Sequence, residues 1–219
     1  MQKLSRGEPP LCLIKFQHGK HSWNRDVKHD DKEIIWERLY EMQGRLCAYC
    51  ESALIDNKKH IEHFIPKGRH EGRTLEFSWS NLFGSCLYTD RCGHYKDSVK
   101  DYVIGNLIKP DNEDPDDYLI FFSDGTIKPR EGLHPVQTLK ASETLRVFKL
   151  DEKNGALRHQ RQQAIKAHIQ TVEFLVQLLT ECPNSASEIK IMIETEIQRA
   201  ATEPYVTAVR HFYRNNLEL

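Results

Sequence analysis

Residues 47–96 decide how this chain folds, and they read CAYCESALIDNKKHIEHFIPKGRHEGRTLEFSWSNLFGSCLYTDRCGHYK. The stretch opens with the pair Cys47 and Cys50, and a second pair, Cys86 and Cys92, lies close to its end. Two short cysteine pairs joined by a longer loop suit a tetrahedral zinc ion, because each pair wraps one edge of the ion. We therefore predict a structural Zn²⁺ site made by these four thiolates.

Two other interpretations of the cysteines remain open at this stage, a thioredoxin-like redox pair and buried thiols without a ligand. A redox pair would not require Cys86 and Cys92, and no βαβ pattern surrounds Cys47. Cys12 and Cys182 have no partner at ligand spacing, so we interpret them as ordinary thiols.

The composition is that of a globular protein, and it excludes several functional classes. Hydrophobic residues make up 39% and charged residues 29%, with 31 Lys and Arg against 32 Asp and Glu, a formal net charge of −1. This balance excludes a globally basic nucleic-acid binder but not a local basic patch. No apolar run is long enough to span a membrane, and the first residues do not form a signal peptide. We therefore expect a cytoplasmic protein that does not contact a membrane.

Charge and pattern divide the 219 residues into three parts. Residues 1–29 carry Pro9-Pro10 without a sustained apolar period, and we interpret them as an irregular N-terminal arm. Residues 30–109 hold the densest motifs and form the predicted core. The acidic stretch PDNEDPDD, residues 110–117, predicts a linker or turn that opens a mainly helical C-terminal region, residues 110–219.

The hydrophobic periodicity predicts an α+β fold that is mainly helical. The turn at 123–126 predicts a short hairpin between the apolar run 118–122 and residues 127–129. The stretch 144–150 is compatible with a strand or with the end of a helix. Helices are predicted over 31–45, 157–180 and 188–211, the last interrupted near Pro204 and capped by Ser185 or Ser187.

Three polar residues lie between or beside the cysteine pairs, and together they suit metal-assisted hydrolysis. Glu62 offers a hard oxygen ligand, His63 titrates near neutral pH, and His94 offers a nitrogen ligand. Adjacent residues on a strand point to opposite faces, so Glu62 and His63 can address a metal and a water separately. Any one of the three alone is also compatible with a surface polar residue in a loop.

The motifs resemble those of HNH endonucleases with a ββα-metal fold. They are Cys47-x2-Cys50, Glu62-His63-x2-Pro66, Asn81-Leu82, and Cys92-Gly93-His94-x-Lys96. A closer resemblance, extending over most of the chain, is to the HNH proteins of Septu anti-phage systems, the PtuB component, which also occur as retron effectors. It is seen in CAYCE, IEHFIPKG, WSNLFGSC and CGHYKD, and less strongly in TLRVFKLDEKNGALRHQR.

The resemblance implies a role for each site residue. His63 corresponds to the general base, and Glu62 to the acidic ligand of a catalytic Mg²⁺ or Mn²⁺ ion, usually Asp. Asn81 corresponds to the central Asn that orients the loop carrying the base. His94 corresponds to the last metal ligand, although Gly93 separates it from the zinc-site cysteine. His60 is an extra residue near the site, positional or exposed.

The resemblance also implies a nuclease that works beside a PtuA-like ATPase of the ABC/SMC type, cleaving DNA or RNA, including tRNA. Substrate contact through the phosphate backbone is predicted from flanking cations. These are Lys58, Lys59, Lys67, Arg69, Arg73, Lys96 and Lys100.

The sequence leaves open two other functions for the chain and two positions for the N-terminal arm. The chain could be a non-catalytic zinc module that binds a protein partner, although such a module would need neither Glu62-His63 nor Asn81. A zinc-dependent redox enzyme or deaminase is a further alternative, but the deaminase order of His before Cys-x2-Cys is reversed here. The arm either packs on the C-terminal helices or docks on the ATPase, and the family resemblance favours docking.

Overall fold

The computed structural model describes residues 1–217, and the last two residues of the predicted C-terminal region, 218 and 219, lie outside the described residues. About half of the chain is helical, and two small antiparallel sheets complete it, which confirms the predicted α+β, mainly helical class. The helices are α1 Trp23–Asp26, α2 His29–Gln43, α3 His70–Arg73, α4 Cys92–Ser98, α5 Pro135–Val147, α6 Ala156–Lys166, α7 Ile169–Glu181, α8 Ala186–Arg199 and α9 Val206–Leu217. The strands are β1 Lys59–His63, β2 Leu82–Cys86, β3 Leu119–Phe121 and β4 Ile127–Pro129.

The first sheet pairs β1 with β2, and α4 follows and packs against β2. The register places Lys59 opposite Cys86 at one end and His63 opposite Leu82 at the other. Helix α2 covers this sheet so closely that a Cβ atom on Gly84 would lie 2.8 Å from both Gln43 and Trp36. Glycine is therefore required at this contact, where Gln43 also exchanges hydrogen bonds with the Gly84 backbone.

The N-terminal arm packs into the same hydrophobic core as the first sheet. Met1, Leu4, Leu13 and Trp23 are all buried there. Arg6 donates to the backbone oxygens of Trp79 and Leu82, so the arm is also held by polar contacts to this part of the chain. The short 3₁₀ helix Leu11–Lys15 and α1 give it local structure between extended stretches.

The predicted helix over residues 31–45 is confirmed as α2, which begins two residues earlier and ends at Gln43. Its predicted apolar face, Ile35, Leu39 and Met42, is buried. Gly44 follows with a φ of 64°, a backbone conformation that glycine adopts readily and that ends the helix.

The second sheet confirms the predicted hairpin, with Leu119 opposite Pro129 and Phe121 opposite Ile127. The stretch 144–150 is the end of α5 and the turn after it rather than a strand. The acidic stretch 110–117 contains a 3₁₀ turn over Pro115–Asp117, and Asp111 in it forms an ion pair with Arg6 of the arm.

The single helix predicted over 157–180 is two helices, α6 and α7, and the prediction of continuity is wrong. Ile165 of α6 packs in the main core, whereas Val172 and Leu175 of α7 pack in a second cluster with α8 and α9. At the break, His168 hydrogen-bonds with Tyr213 and Glu203, which holds the turn between the two helices. Because of this break, the apolar face of α6 packs in the main core and that of α7 packs in the second cluster.

The last predicted helix, 188–211, is likewise divided, into α8 and α9, with Pro204 between them as expected. Ser185 precedes α8, but its side chain makes no capping hydrogen bond. Within residues 1–217, no helix is long and apolar enough to cross a membrane.

Candidate functional site

The four predicted zinc ligands come together in one buried cluster. The Sγ atoms of Cys47, Cys50, Cys86 and Cys92 all lie within 4.8 Å of one another, and those of Cys50 and Cys86 are 3.9 Å apart. Four thiolates around a tetrahedral zinc ion, with Zn–S bonds of about 2.3 Å, have their sulfurs about 3.8 Å apart. The cluster is therefore able to hold a metal ion such as Zn²⁺, as predicted.

Burial raises the pKa of the Cys92 thiol, and hydrogen bonds with Cys47 and Cys50 raise that of Cys86, so within this cluster the negative charge falls first on Cys47. Burial would raise the pKa of the Cys47 thiol, but hydrogen bonds from the other three cysteines outweigh burial and bring this pKa well below its usual value. The buried side chain of Arg91 lies beside the cluster, and burial lowers its pKa less than the neighbouring cysteine thiolates raise it. A cation among four such sulfurs would offset their mutual repulsion. Cys12 is buried and Cys182 exposed, both outside the cluster.

Glu62 points from β1 towards α4 and is 3% exposed. Its Oε1 lies 2.8 Å from Nζ of Lys96, and its Oε2 lies 3.0 Å from Nε2 of His60. Burial would raise the pKa of Glu62, but the charge of Lys96 and the hydrogen bond with His60 outweigh burial and lower it. Glu62 is therefore an ionised carboxylate held on the α4 side of the sheet.

Gly93 makes room for the long side chain of Glu62. A Cβ atom at position 93 would lie 2.4 Å from Oε2 of Glu62, so any other residue would displace the carboxylate. Gly93 is also the residue that directly follows the zinc-site Cys92, the place where the HNH pattern puts its last ligand. The longer acid at 62 and the missing side chain at 93 thus fit each other.

His63 points to the opposite side of β1 from Glu62. Its Nε2 donates a hydrogen bond to the backbone oxygen of Glu76 at 2.9 Å, and its ring packs edge-to-face on Trp23 of the arm. Burial lowers the pKa of His63 to about 4, although the bond to Glu76 opposes this shift. The imidazole is therefore neutral near pH 7, with Nδ1 left as the proton acceptor.

Asn81 is buried, and its side chain holds the loop that follows His63. Its Oδ1 accepts from the backbone N–H of Ile65, and its Nδ2 donates to the backbone oxygens of Ile65 and Leu75. Leu75 is next to Glu76, the residue whose backbone oxygen orients His63. Asn81 therefore fixes both the end of β1 and the acceptor of the His63 ring.

His94 is exposed on α4, and its ring lies edge-to-face on His60, with centroids 4.9 Å apart. The structure thus brings Glu62, His60 and His94 to one side of β1 and His63 with Asn81 to the other. Sequence reasoning gave His60 only a minor place, yet it shares the face of Glu62 because the two lie two positions apart on a strand.

The sequence predicts that Lys96 is one of the cations that contact the substrate, and this prediction is wrong. Its side chain is completely buried, with Nζ bonded to Asp97 at 2.7 Å and to the backbone oxygen of His63 at 3.2 Å, besides the ion pair with Glu62. The helix α4 turns it inward, because position 96 follows Gly93 by three residues and shares its face. Lys96 therefore neutralises Glu62.

Of the other predicted cations, Lys59 is engaged within the chain, bonding Tyr40 and Asp56. The remaining five form no ion pair with a carboxylate anywhere in residues 1–217. They are Lys58, Lys67, Arg69, Arg73 and Lys100.

Two known proteins are similar to about half of this chain. One is the "Retron Vc95 putative HNH endonuclease" of Vibrio cholerae serotype O1 biovar El Tor, which is 33% identical over 117 residues, covering 49% of this chain and 55% of the relative. The other is the Septu protein PtuB of Bacillus thuringiensis, which is 32% identical over 111 residues, covering 48% of this chain and 38% of the relative. The resemblance to the Septu and retron HNH family is confirmed.

The Septu and retron resemblance covers about half of the chain, and not most of it as the motifs predicted. The chain matches about half of the retron protein's length and less than half of that of PtuB. No protein-family model matches the chain.

Proposed function

We propose that this protein is an HNH endonuclease that hydrolyses phosphodiester bonds in nucleic acid. The observation that carries the proposal is the end of β1, where Glu62 and His63 face opposite sides of one strand beside a four-cysteine cluster. In this proposal β1, β2 and α4 are the ββα-metal core, and the four cysteines hold a structural Zn²⁺. A zinc module that only binds a partner would need neither the buried carboxylate nor the oriented imidazole.

The donors on the α4 side suit a catalytic divalent cation, Mg²⁺ or Mn²⁺. They are the ionised carboxylate of Glu62 and the imidazoles of His94 and His60. One ligand atom there, Nδ1 of His60, is buried without a hydrogen-bond partner in the described chain, whereas Oε1 of Glu62 is paired with Lys96. When bound, the cation would neutralise charge developing on the phosphate and on the leaving oxygen.

The protein's own part in the reaction is proton transfer. The Nε2–H group of His63 donates a hydrogen bond to the Glu76 backbone oxygen, so the tautomer is fixed and Nδ1 is free to take a proton from water. The amide of Asn81 keeps this geometry by holding the loop on both sides. Lys96 ties the backbone of His63 to the carboxylate of Glu62, so the acid and the base keep one spacing.

The direct test is a nuclease assay on the purified chain, alone and with the product of its neighbouring gene. Plasmid DNA and total RNA are each incubated with Mg²⁺ or Mn²⁺, and product sizes are compared with a reaction in chelator. We expect divalent-ion-dependent cleavage of one of them. No cleavage under any of these conditions, with zinc present and the partner bound, would contradict the proposed activity.

Substituting Gly93 with alanine should lower the cleavage rate and leave the zinc content unchanged. The new Cβ would overlap Oε2 of Glu62 and displace the carboxylate, and a misplacement of about 1 Å at a reacting centre costs roughly 10²-fold in rate. Alanine favours the helix that contains position 93, so α4 itself should remain. Cleavage rate and zinc content are measured on the same sample.

The matched control is Gly105→Ala, because a Cβ at position 105 meets nothing within 4 Å. Equal cleavage rates for Gly93→Ala, Gly105→Ala and the wild type would show that the position of the Glu62 carboxylate does not matter.

We further propose that the protein serves anti-phage defence beside a PtuA-like ATPase. The support is the likeness to a Septu protein and to a retron protein. The arm offers a contact for this partner, because Leu11 and Ile14 on its 3₁₀ helix are 78% and 75% exposed while their neighbours Cys12 and Leu13 are buried. Deleting the arm would remove core residues, so a surface change is the better test.

The double variant Leu11→Glu and Ile14→Glu should weaken co-purification with the ATPase while leaving the chain folded. Charged side chains on an apolar contact surface are unpaired once buried, which costs binding free energy. The control is Val136→Glu on α5, an apolar residue that is 63% exposed and far along the chain. Full co-purification of the double variant would exclude this part of the arm as the main contact.

A further inference from the structure

We propose that a groove beside the candidate site binds the phosphodiester backbone of a nucleic-acid strand. This inference rests on the proposed function, since it assigns the path of the substrate towards the reacting residues. The groove has a volume of about 450 Å³ and is formed by two segments, residues 66–71 and residues 97–102. We call it the 66–102 groove.

The walls of the 66–102 groove continue from the elements that carry the site. Residues 66–71 follow β1, which carries Glu62 and His63, and residues 97–102 begin at the end of α4. Asp97 in the second wall bonds Lys96, which in turn pairs with Glu62. The second wall is therefore connected to the carboxylate of Glu62 through Asp97 and Lys96.

Arg69 is pre-organised as a phosphate ligand in the first wall. Its guanidinium carbon lies 3.9 Å from the centre of the Tyr102 ring, and its NH1 donates to the backbone oxygen of Tyr102 at 3.1 Å. This stacking fixes the plane of the guanidinium, which leaves its other N–H groups as a rigid fork of the kind that binds phosphate. Tyr102 is 8% exposed, and its Oη is buried without a hydrogen-bond partner in the described residues.

Two cations that line the 66–102 groove are available to an anionic ligand. Arg69 and Lys100 stand on opposite walls, and neither forms an ion pair in the part of the chain that the structure describes. Lys96 is shared between Glu62 and Asp97, so Asp97 and the exposed Glu71 are both carboxylates of the lining. Two cations on opposite walls that are free of ion pairs suit contact with the backbone and not base-specific recognition.

The inference is tested by binding, measured separately from cleavage. Fluorescence anisotropy is followed with a short labelled DNA strand and an RNA strand of the same sequence, with Ca²⁺ in place of Mg²⁺ to suppress hydrolysis. Arg69→Ala and Lys100→Ala should each weaken binding about fivefold and lower the slope of log affinity against log salt by about one unit. The control Lys190→Ala removes an exposed cation from α8, outside the groove, and should change neither quantity. The comparison of the two strands shows which nucleic acid the groove takes.

The outcomes separate this inference from the proposed function. Wild-type binding by both groove variants, or no binding by the wild type to either strand, overturns the groove even if the protein cleaves nucleic acid. Weakened binding without cleavage by the wild type supports the groove and contradicts the nuclease. Because Arg69 also supports Tyr102, the exposed substitution Lys100→Glu keeps the test decisive if Arg69→Ala does not fold, as judged by circular dichroism and zinc content.

Discussion

Replacing Cys50 with serine is expected to unfold this protein and not merely to remove its zinc. The four cysteines join the turn after α2, the end of β2 and the start of α4, so the ion would hold three segments that are distant in sequence. Binding of structural zinc contributes about 10–16 kcal/mol in small zinc-finger peptides, whereas a whole domain is stable by about 5–15 kcal/mol. Loss of one ligand therefore removes free energy comparable with the total stability. Metal analysis and thermal unfolding followed by circular dichroism are the measurements.

Cys182→Ser provides the matched control, because Cys182 is an exposed thiol outside the cluster. It should retain one tightly bound zinc per chain and the melting temperature of the wild type. Folded wild-type protein that contains no zinc after purification without chelator would refute the prediction.

Replacing His63 with alanine should abolish cleavage while zinc stays bound. A general base contributes roughly 10²–10⁴-fold to the rate, and no other imidazole lies on the same side of β1 in contact with Trp23 and the Glu76 backbone oxygen within residues 1–217. Cys86 pairs with Lys59, at the opposite end of the register from His63, so the cysteine cluster should be unaffected. Initial cleavage rates at saturating metal are compared with those of the wild type.

Three further variants separate the base from the metal ligands. Because His63 is buried, His63→Gln preserves more of its volume and shows whether a cavity beside Trp23 contributes to the loss. Glu62→Gln and His94→Ala should also lose cleavage, but excess Mg²⁺ or Mn²⁺ should restore part of it, and it should not rescue His63→Ala. His29→Ala, a change at an 85% exposed histidine, is the control. A wild-type rate for His63→Ala would show that another group takes the proton.

The parts of the site that the sequence predicts are those set by local spacing. The four cysteines could be assigned as one cluster because the spacing within each pair is short. One ion bound by both pairs would bring the ends of the loop between them together. The opposite orientations of Glu62 and His63 follow from the two-residue period of a strand, whatever the rest of the fold does.

The contacts that the sequence could not predict depend on long-range packing. Lys96 carries the same charge as the exposed Lys100, and only the placement of α4 against β2 turns it inward. Trp23 contacts His63, which is forty residues later in the sequence, and the arm has no periodicity from which this contact could be predicted. Similarly, the sequence did not predict the first part of α5, because only three residues of this helix are buried, while Val136 and Leu139 are exposed.

The register of the first sheet links the cysteine cluster to the orientation of Glu62 and His63. Cys86 pairs with Lys59 at one end of the two strands, and the acid and the base lie at the other end. A slip of one residue between strands exchanges their faces, so Glu62 would point to the Trp23 side and His63 to the α4 side. A metal ion bound at Cys86 would thus hold the orientation of Glu62 and His63, and the insertion of a single residue within either strand would reverse it.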